Sequence, residues 1–320
     1  MSLPTLLWSL TLAAVSTLFA SDSAWEQHFS KGEGLERQGQ HAAAGREFQA
    51  ALVEAEQMDP NDASLPLTLH NLGTVARELG SYPEAERYYQ RAVSIWETRH
   101  PGSPAQLAVT LQNLGALNMV WGRLSRAETL YRRAYELRLQ ALGPNHAHVG
   151  ASLHGLAELA AARHHYAEAN DLYRQAAAVL QAAYGPDSLR VADVWHNWGY
   201  LCKEMQHRDQ EARTMLDRAA AIYEKTVPDH PNMAIILRNL AELDMKAGDL
   251  AQAGTRFERS LMICRNSLPP GHQQTGIILS AYGRYLQQAG RKKEAKFATE
   301  KAREILTKPT YTVDVAAFTK

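Results

Sequence analysis

The chain has 320 residues, with 34 Lys and Arg against 34 Asp and Glu, so its formal charge at pH 7 is zero. Hydrophobic residues make up 45% of the sequence, which excludes a mainly disordered chain. The balanced charge gives no electrostatic reason to expect nucleic acid or an anionic membrane surface as a partner. Two cysteines, Cys202 and Cys264, are too few for a disulfide framework or a cysteine-rich zinc site. We expect both to be buried as small apolar side chains.

The first predicted element is an uncharged, apolar segment from Leu6 to Ala20. Its length of about fifteen residues is short for a membrane span and typical of a signal-peptide core. Small residues at Ala20 and Ser21 suit cleavage, although no Lys or Arg precedes the segment. The sequence therefore predicts that residues 1–20 are a signal peptide that exports the chain, to the periplasm or the extracellular space if it is bacterial. The alternative is an uncleaved membrane anchor.

The rest of the chain repeats itself. The segment LHNLG at 69–73 recurs as LQNLG at 111–115, which is 42 residues later, and related segments begin at 153, 195, 237 and 279. Small residues recur downstream at nearly the same spacing. One such column holds Ala85, Ala127, Ala169, Ala212, Ala253 and Ala295. A repeat of this length indicates one supersecondary unit that buries its apolar face by stacking on its neighbours.

Each unit contains two stretches with apolar residues at helical spacing. Glycine follows the first stretch in four units, where it can adopt the left-handed conformation that ends a helix. These residues are Gly80, Gly122, Gly248 and Gly290. The second stretch follows within a few residues, so each unit is predicted to be an antiparallel helical hairpin that ends at a proline-containing linker.

Six such hairpins are preceded by a degenerate first unit at 24–58, which we interpret as a cap, so the predicted array spans residues 24–306. In the fifth unit one residue is inserted between 206 and 209 and the glycine is missing, which predicts a longer turn. The segment 307–320 is predicted to be a C-terminal tail. It could be disordered, dock on the last hairpin or bind a partner.

The residue columns resemble the tetratricopeptide repeat family, and the period of 42 with the linker LGPNH at 142–146 resembles its kinesin light chain subtype. The resemblance implies an all-α fold, a right-handed α-solenoid of about seven antiparallel helical hairpins. It also implies that the first helices line a concave groove that recognises peptides or proteins.

The groove geometry of this family would place two columns on the concave side. The first column is His70, Gln112, His154, His196 and Arg238, and the second is Asn71, Asn113, Asn197 and Asn239. An amide offers both donors and an acceptor, so the asparagines could hold the backbone of an extended peptide. The alternative is that they brace neighbouring helices. The histidines and Arg238 would add positive potential below about pH 6.5 and favour acidic partners there, an effect tempered by Glu158 and Glu242 one turn further on.

No phosphate-binding glycine loop, nucleophile elbow or HExxH motif occurs in the sequence. We therefore expect no enzyme activity, no cofactor, no metal site and no nucleic-acid partner. The predicted function is that of a non-enzymatic adaptor or scaffold that binds an extended peptide or a partner protein in the concave groove. The alternative is a peptide-gated sensor or regulatory subunit.

Overall fold

A computed structural model of the protein describes residues 23–205 and 208–307. Fourteen α-helices follow one another in this part of the chain, and it contains no strand. They are α1 (Ala24–Arg37), α2 (His41–Ala55), α3 (Ser64–Glu78), α4 (Tyr82–Arg99), α5 (Pro104–Val120), α6 (Leu124–Leu142), α7 (Ala147–Ala162), α8 (Tyr166–Tyr184), α9 (Leu189–Glu204), α10 (Asp209–Thr226), α11 (Pro231–Ala247), α12 (Leu250–Ser267), α13 (Gln273–Gln288) and α14 (Lys292–Thr307).

Two predicted segments, the signal peptide at 1–20 and residues 308–320 of the tail, lie outside the described residues. Within 23–205 and 208–307, no helix combines the length and the apolar character needed to cross a membrane.

The helices form two compact units, one ending at His165 and the other beginning at Tyr166. In the first unit α1/α2, α3/α4 and α5/α6 pack as hairpins, and α7 packs on α6 and beside α5. In the second unit α8 packs on α9, followed by the hairpins α9/α10, α11/α12 and α13/α14. The predicted all-α repeat solenoid is confirmed, and its repeats are successive helix pairs.

Small residues let the two helices of a hairpin approach closely. A Cβ built on Gly73 would lie 2.7 Å from Cδ1 of Tyr89, and one on Gly199 would lie 2.8 Å from Cγ of Leu216. The alanine column of the second helices is buried throughout. Both cysteines are also buried, as predicted. The aromatic or leucine side chain therefore fills the space that the missing Cβ leaves.

Tight turns join the helices of each hairpin. The four predicted glycines all have positive φ, between 75° and 85°. In the fourth repeat His164 takes the equivalent position with a φ of 62°, which is unfavourable for a residue that has a Cβ. In the fifth repeat α9 ends at Glu204 and α10 begins at Asp209, and residues 206–207 of the predicted longer turn lie outside the described residues.

Candidate binding face on the first helices

The first helices of successive repeats lie side by side in each unit: α1, α3, α5 and α7 in the first, and α9, α11 and α13 in the second. We use the term first-helix face for the predicted binding positions on these helices together with the residues one or two helical turns further on. Two helices about 8–10 Å apart can share side-chain hydrogen bonds, so polar residues on this face connect one repeat with the next.

His70 is joined to the following repeat by two hydrogen bonds. Its Nε2 lies 3.2 Å from Nδ2 of Asn113, and its Nδ1 lies 3.2 Å from Oγ1 of Thr110. An amide nitrogen only donates, so Nε2 accepts and the ring is neutral. His70 and Asn113 are both buried. The pair therefore braces α3 against α5, which is the alternative that the sequence left open for the asparagine column.

The same arrangement recurs in the second unit. Nδ2 of Asn239 lies 3.4 Å from Nε2 of His196, and both residues are buried. Oδ1 of Asn239 accepts from Nζ of Lys203 and from Nη2 of Arg238, each at 2.9 Å. These two cations fix the orientation of the amide, so its nitrogen must face the histidine. Asn239 thus connects α9 and α11 and uses both ends of its side chain to do so.

Burial changes the acid–base behaviour of this column. Desolvation lowers the pKa of His70 to about 4, with Arg77 adding to the effect, and burial lowers the pKa of His154 to about 4 as well. Nε2 of His154 lies 3.8 Å from Oε1 of Glu158. The expected positive charge below about pH 6.5 is therefore wrong for these two histidines, because charging a ring inside the repeat costs too much.

Four of the predicted binding residues remain half-buried: Asn71, Asn197, Gln112 and Arg238. Gln112 accepts a hydrogen bond at Oε1 from Arg138, a buried arginine that also donates to Oγ of Ser152 at 2.7 Å. Burial lowers the pKa of Arg138 to about 10. Nε of Arg238 is buried without a hydrogen-bond partner. The predicted set thus divides into a buried bracing layer and a smaller group that solvent can reach.

Sequence reasoning placed Glu242 one turn further along α11 but missed the ion pairs that it forms with cations of the neighbouring first helices. Nζ of Lys203 lies 2.6 Å from Oε2 of Glu242, and Nη2 of Arg284 lies 2.7 Å from Oε1 of the same residue. Burial opposes the charge of Glu242, but Lys203, Arg238 and Arg284 hold its pKa below the ordinary value. The sequence signal was the column Thr74, Ala116, Glu158, Tyr200, Glu242 and Arg284, which is small near the start and charged near the end.

The first unit carries a different set of charges. Arg77 is buried and pairs with Glu78 at 2.6 Å. Burial, together with the nearby Glu78 and Glu33, raises the pKa of Glu36 to about 7. Carboxylates and arginines therefore lie together at this end of the chain, whereas three cations surround one carboxylate in the second unit.

The described residues contain no group of three or more His, Cys, Asp or Glu side chains placed to hold a metal ion. The chemistry that this face offers is hydrogen bonding and charge pairing, from side chains that neighbouring repeats hold in place.

The sequence matches the tetratricopeptide repeat family over residues 27–98, 106–182, 190–244 and 232–308. No curated protein matches it. Among solved structures, BtubC (BKLC) from P. vanneervenii is similar, with a TM-score of 0.58, 22% identity and coverage of 78% of this chain and 95% of that one. A putative kinesin light chain from Podosopora anserina with nearly identical TPR-like repeats has a TM-score of 0.53, 24% identity and coverage of 63% and 95%. A Rap protein complexed with Competence and Sporulation Factor has a TM-score of 0.60, 15% identity and coverage of 88% and 74%. At these identities the likeness shows a shared fold.

Proposed function

We propose, since the chain belongs to the tetratricopeptide repeat family, that it is a non-enzymatic adaptor that binds an extended segment of a partner protein along its first-helix face. Repeats of this family generally serve as scaffolds for protein–protein interaction. The particular face and the extended form of the partner are our proposal.

The observation that carries the proposal is the set of charges around Glu242. Three successive first helices contribute to it, with Lys203 from α9, Glu242 from α11 and Arg284 from α13. Their side chains are 11%, 22% and 63% exposed, so the set is held by the fold and yet reaches solvent. Preorganised donors of this kind can bind the carbonyl oxygens and carboxylates of a polypeptide without first paying for their own ordering.

The pKa shifts of the two cysteines and of two buried histidines favour a binding role over catalysis. Burial raises the pKa of Cys202 to about 11 and also raises the pKa of Cys264, so neither thiol ionises readily near neutral pH. Burial also lowers the pKa of His70 and His154, so these histidines are braces inside the fold and do not cycle protons near pH 7.

Site-specific photo-crosslinking tests the proposal. A photoreactive phenylalanine analogue would replace Tyr200, which is half-buried on α9 beside Lys203. The matched control places the same analogue at Met262 on the second helix α12, where the side chain is 53% exposed. We expect a discrete partner, identified by mass spectrometry, to be trapped from position 200 and not from 262. Equal trapping at both positions, or trapping from 262 alone, would show that the first-helix face is not the binding surface.

A peptide-gated sensor is the alternative form of the same function. The Rap protein whose fold is similar has been solved in complex with Competence and Sporulation Factor. A sensor that closes around its ligand should become more compact, whereas a rigid adaptor should not. Small-angle scattering of the protein with and without its crosslinked partner segment distinguishes the two forms.

Export is the second part of the proposal, and the apolar segment from Leu6 to Ala20 supports it. We expect protein recovered outside the cytoplasm to begin near Ser21 on N-terminal sequencing. Recovery there of a chain that still begins at Met1 would favour the membrane anchor over a cleaved signal peptide.

A further inference from the structure

A groove of about 510 Å³ lies between α13 and α14, the two helices of the last repeat. Its floor includes Gly283 and Ala295, which are both buried. Its walls carry four cations, Arg284, Lys292, Lys296 and Arg303. One carboxylate, that of Glu300, also lines it. The groove is therefore narrow at its base and strongly basic at its rim.

The equivalent surface of the preceding repeat is covered by a helix. There α13 packs against both α11 and α12. Tyr285 of α13 lies so close to Gly254 of α12 that a Cβ at Gly254 would collide with its hydroxyl oxygen. The ring of Tyr285 also lies 5.6 Å, centroid to centroid, from that of Phe257. The surface between the two helices of a repeat thus has the shape that receives a helix.

In the last repeat the residues at these positions are charged or polar instead of apolar or small. At a spacing of 42, Leu250 is replaced by Lys292, Gly254 by Lys296, Phe257 by Thr299 and Leu261 by Arg303. Three new cations therefore stand at positions that are apolar or small one repeat earlier, where Gly254 lies against Tyr285 of α13. A further repeat of the same kind would leave these charges buried and unpaired, which is costly.

The new charges are also largely uncompensated. Among the described residues Lys296 is 3.9 Å from Glu300 and Arg284 pairs with Glu242, whereas Lys292 and Arg303 form no ion pair. An end repeat that only needed to be soluble could carry charges of both signs in balance. Four cations around one carboxylate instead create a positive potential over the opening of the groove.

We propose that this groove receives an acidic, amphipathic helix of a partner protein. The shape of the groove fits a helix, because the preceding repeat packs against a helix in the equivalent place. The four cations of the groove walls would pair with acidic residues along both edges of that helix. Small apolar residues would pack against Gly283 and Ala295. Arg284 belongs to both this groove and the first-helix face, whereas Lys292, Lys296 and Arg303 on α14 belong to the groove alone, so variants of α14 test this proposal by itself.

A second copy of this chain is a poorer occupant. At the other end of the repeats, α1 carries Lys31 and His28 at positions where α3 has Leu72 and Leu69, and both contact Glu47 at 2.7 and 2.8 Å. That surface offers no excess of negative charge to match the groove, so stacking of the two ends brings no electrostatic attraction.

The test uses the full chain and a fluorescent, stapled helical peptide of 16 residues, the length of α14. The peptide has alanine and leucine along one face and glutamate along both edges. Fluorescence anisotropy should show binding that weakens as salt is added. Lys292→Glu with Arg303→Glu should weaken it by about tenfold or more, since two attractions become repulsions. The matched control, Arg46→Glu with Arg265→Glu, makes the same change in charge at exposed positions outside the groove and should leave binding unchanged.

Three results would overturn the proposal, provided that circular dichroism shows both variants to be folded. The two double variants could weaken binding equally, which would mean that only total charge matters. A peptide of the same composition with its glutamates and leucines scrambled around the helix could bind as well, which would remove the role of the groove. A short single-stranded oligonucleotide could bind more tightly and depend on the same two cations, which would make the surface a nucleic-acid site. Crosslinking from position 200 should be unaffected in every case, so failure here is distinct from failure of the proposed function.

Discussion

Nδ2 of Asn113 lies 3.2 Å from Nε2 of His70, and the two residues stand 43 positions apart in the chain. Asn239 and His196 repeat both the spacing and the contact. An offset of one repeat plus one residue places a donor on one first helix beside an acceptor on the previous one. The contact therefore sets the register between neighbouring repeats, and a side chain in this column can serve stability even where its neighbours serve binding.

Asn113→Ala should lower the free energy of unfolding by about 1–3 kcal/mol, because it leaves the buried Nε2 of His70 without a donor. Asn71→Ala is the matched control. Asn71 occupies the same column but is half-buried and forms no side-chain hydrogen bond within the described residues, so its loss should cost less than about 0.5 kcal/mol. Urea unfolding followed by circular dichroism measures both. Equal losses in the two variants would contradict a bracing role for Asn113.

The fold could be predicted from the sequence because its determinants recur. A period of 42, small residues such as Gly73 opposite large ones such as Tyr89, and glycines at fixed positions all describe contacts within one hairpin.

The candidate binding face was less predictable, because the burial of a side chain on a first helix depends on the next repeat. His70 looks like an exposed polar residue within its own hairpin, yet α5 covers it and supplies Thr110 and Asn113 as partners. The group around Glu242 was missed for a related reason. It joins Lys203, Glu242 and Arg284 from three repeats, and no single repeat contains the pattern.

The buried histidines should make the first unit less stable in acid. An unfolded histidine binds its proton below about pH 6.5, whereas His70 and His154 do so only near pH 4 when folded. Their stabilising contribution is therefore complete above about pH 6.5 and is lost as the pH falls from there towards 4. The loss is on the order of 3 kcal/mol for each ring. Glu36 works in the opposite direction, because its pKa is raised to about 7 and its protonation favours the folded state at low pH.

Comparison with His154→Gln isolates this effect from that of Glu36. Urea unfolding at pH 7.5 and at pH 5 should show a larger loss on acidification for the unmodified protein than for the variant, which cannot take up the proton. A loss of the same size in both proteins would show that His154 is not kept neutral by burial.

The half-buried carboxylate of Asp193 in the second unit should give the opposite pH dependence. Tyr223 donates to Oδ1 of Asp193 at 2.5 Å, and Nδ2 of Asn232 donates to the Tyr223 hydroxyl at 2.8 Å. Burial raises the pKa of Asp193 to about 6 despite these bonds. Because the folded state binds the proton more tightly than the unfolded state, this contribution is fully present below about pH 3.8 and is lost as the pH rises through 6.

Asp193→Asn should therefore stabilise the protein by about 1–3 kcal/mol at pH 7.5 and have little effect at pH 4, since an amide can still accept from Tyr223 without carrying a charge. Asp187→Asn is the control, because that side chain is 61% exposed and pairs with Lys225 on the surface. Thermal unfolding at the two pH values measures both variants. A destabilised Asp193→Asn at pH 7.5 would mean that the charge itself holds α9, α10 and α11 together.

Two glycines of the first unit should respond in opposite ways to the same substitution. A Cβ at Gly73 would lie 2.7 Å from Cδ1 of Tyr89, a ring that is fully buried. Gly73→Ala should therefore destabilise the protein by about 1–3 kcal/mol through overpacking.

A Cβ at Gly155 meets its nearest neighbour, Cε1 of Tyr131, at an ordinary 3.5 Å. Gly155→Ala should stabilise by about 0.5–1 kcal/mol, because alanine loses less backbone entropy than glycine in the middle of a helix. Urea unfolding of the two variants tests both signs, and a loss at Gly155 as large as that at Gly73 would show that close approach of the helices is not what selects glycine at position 73.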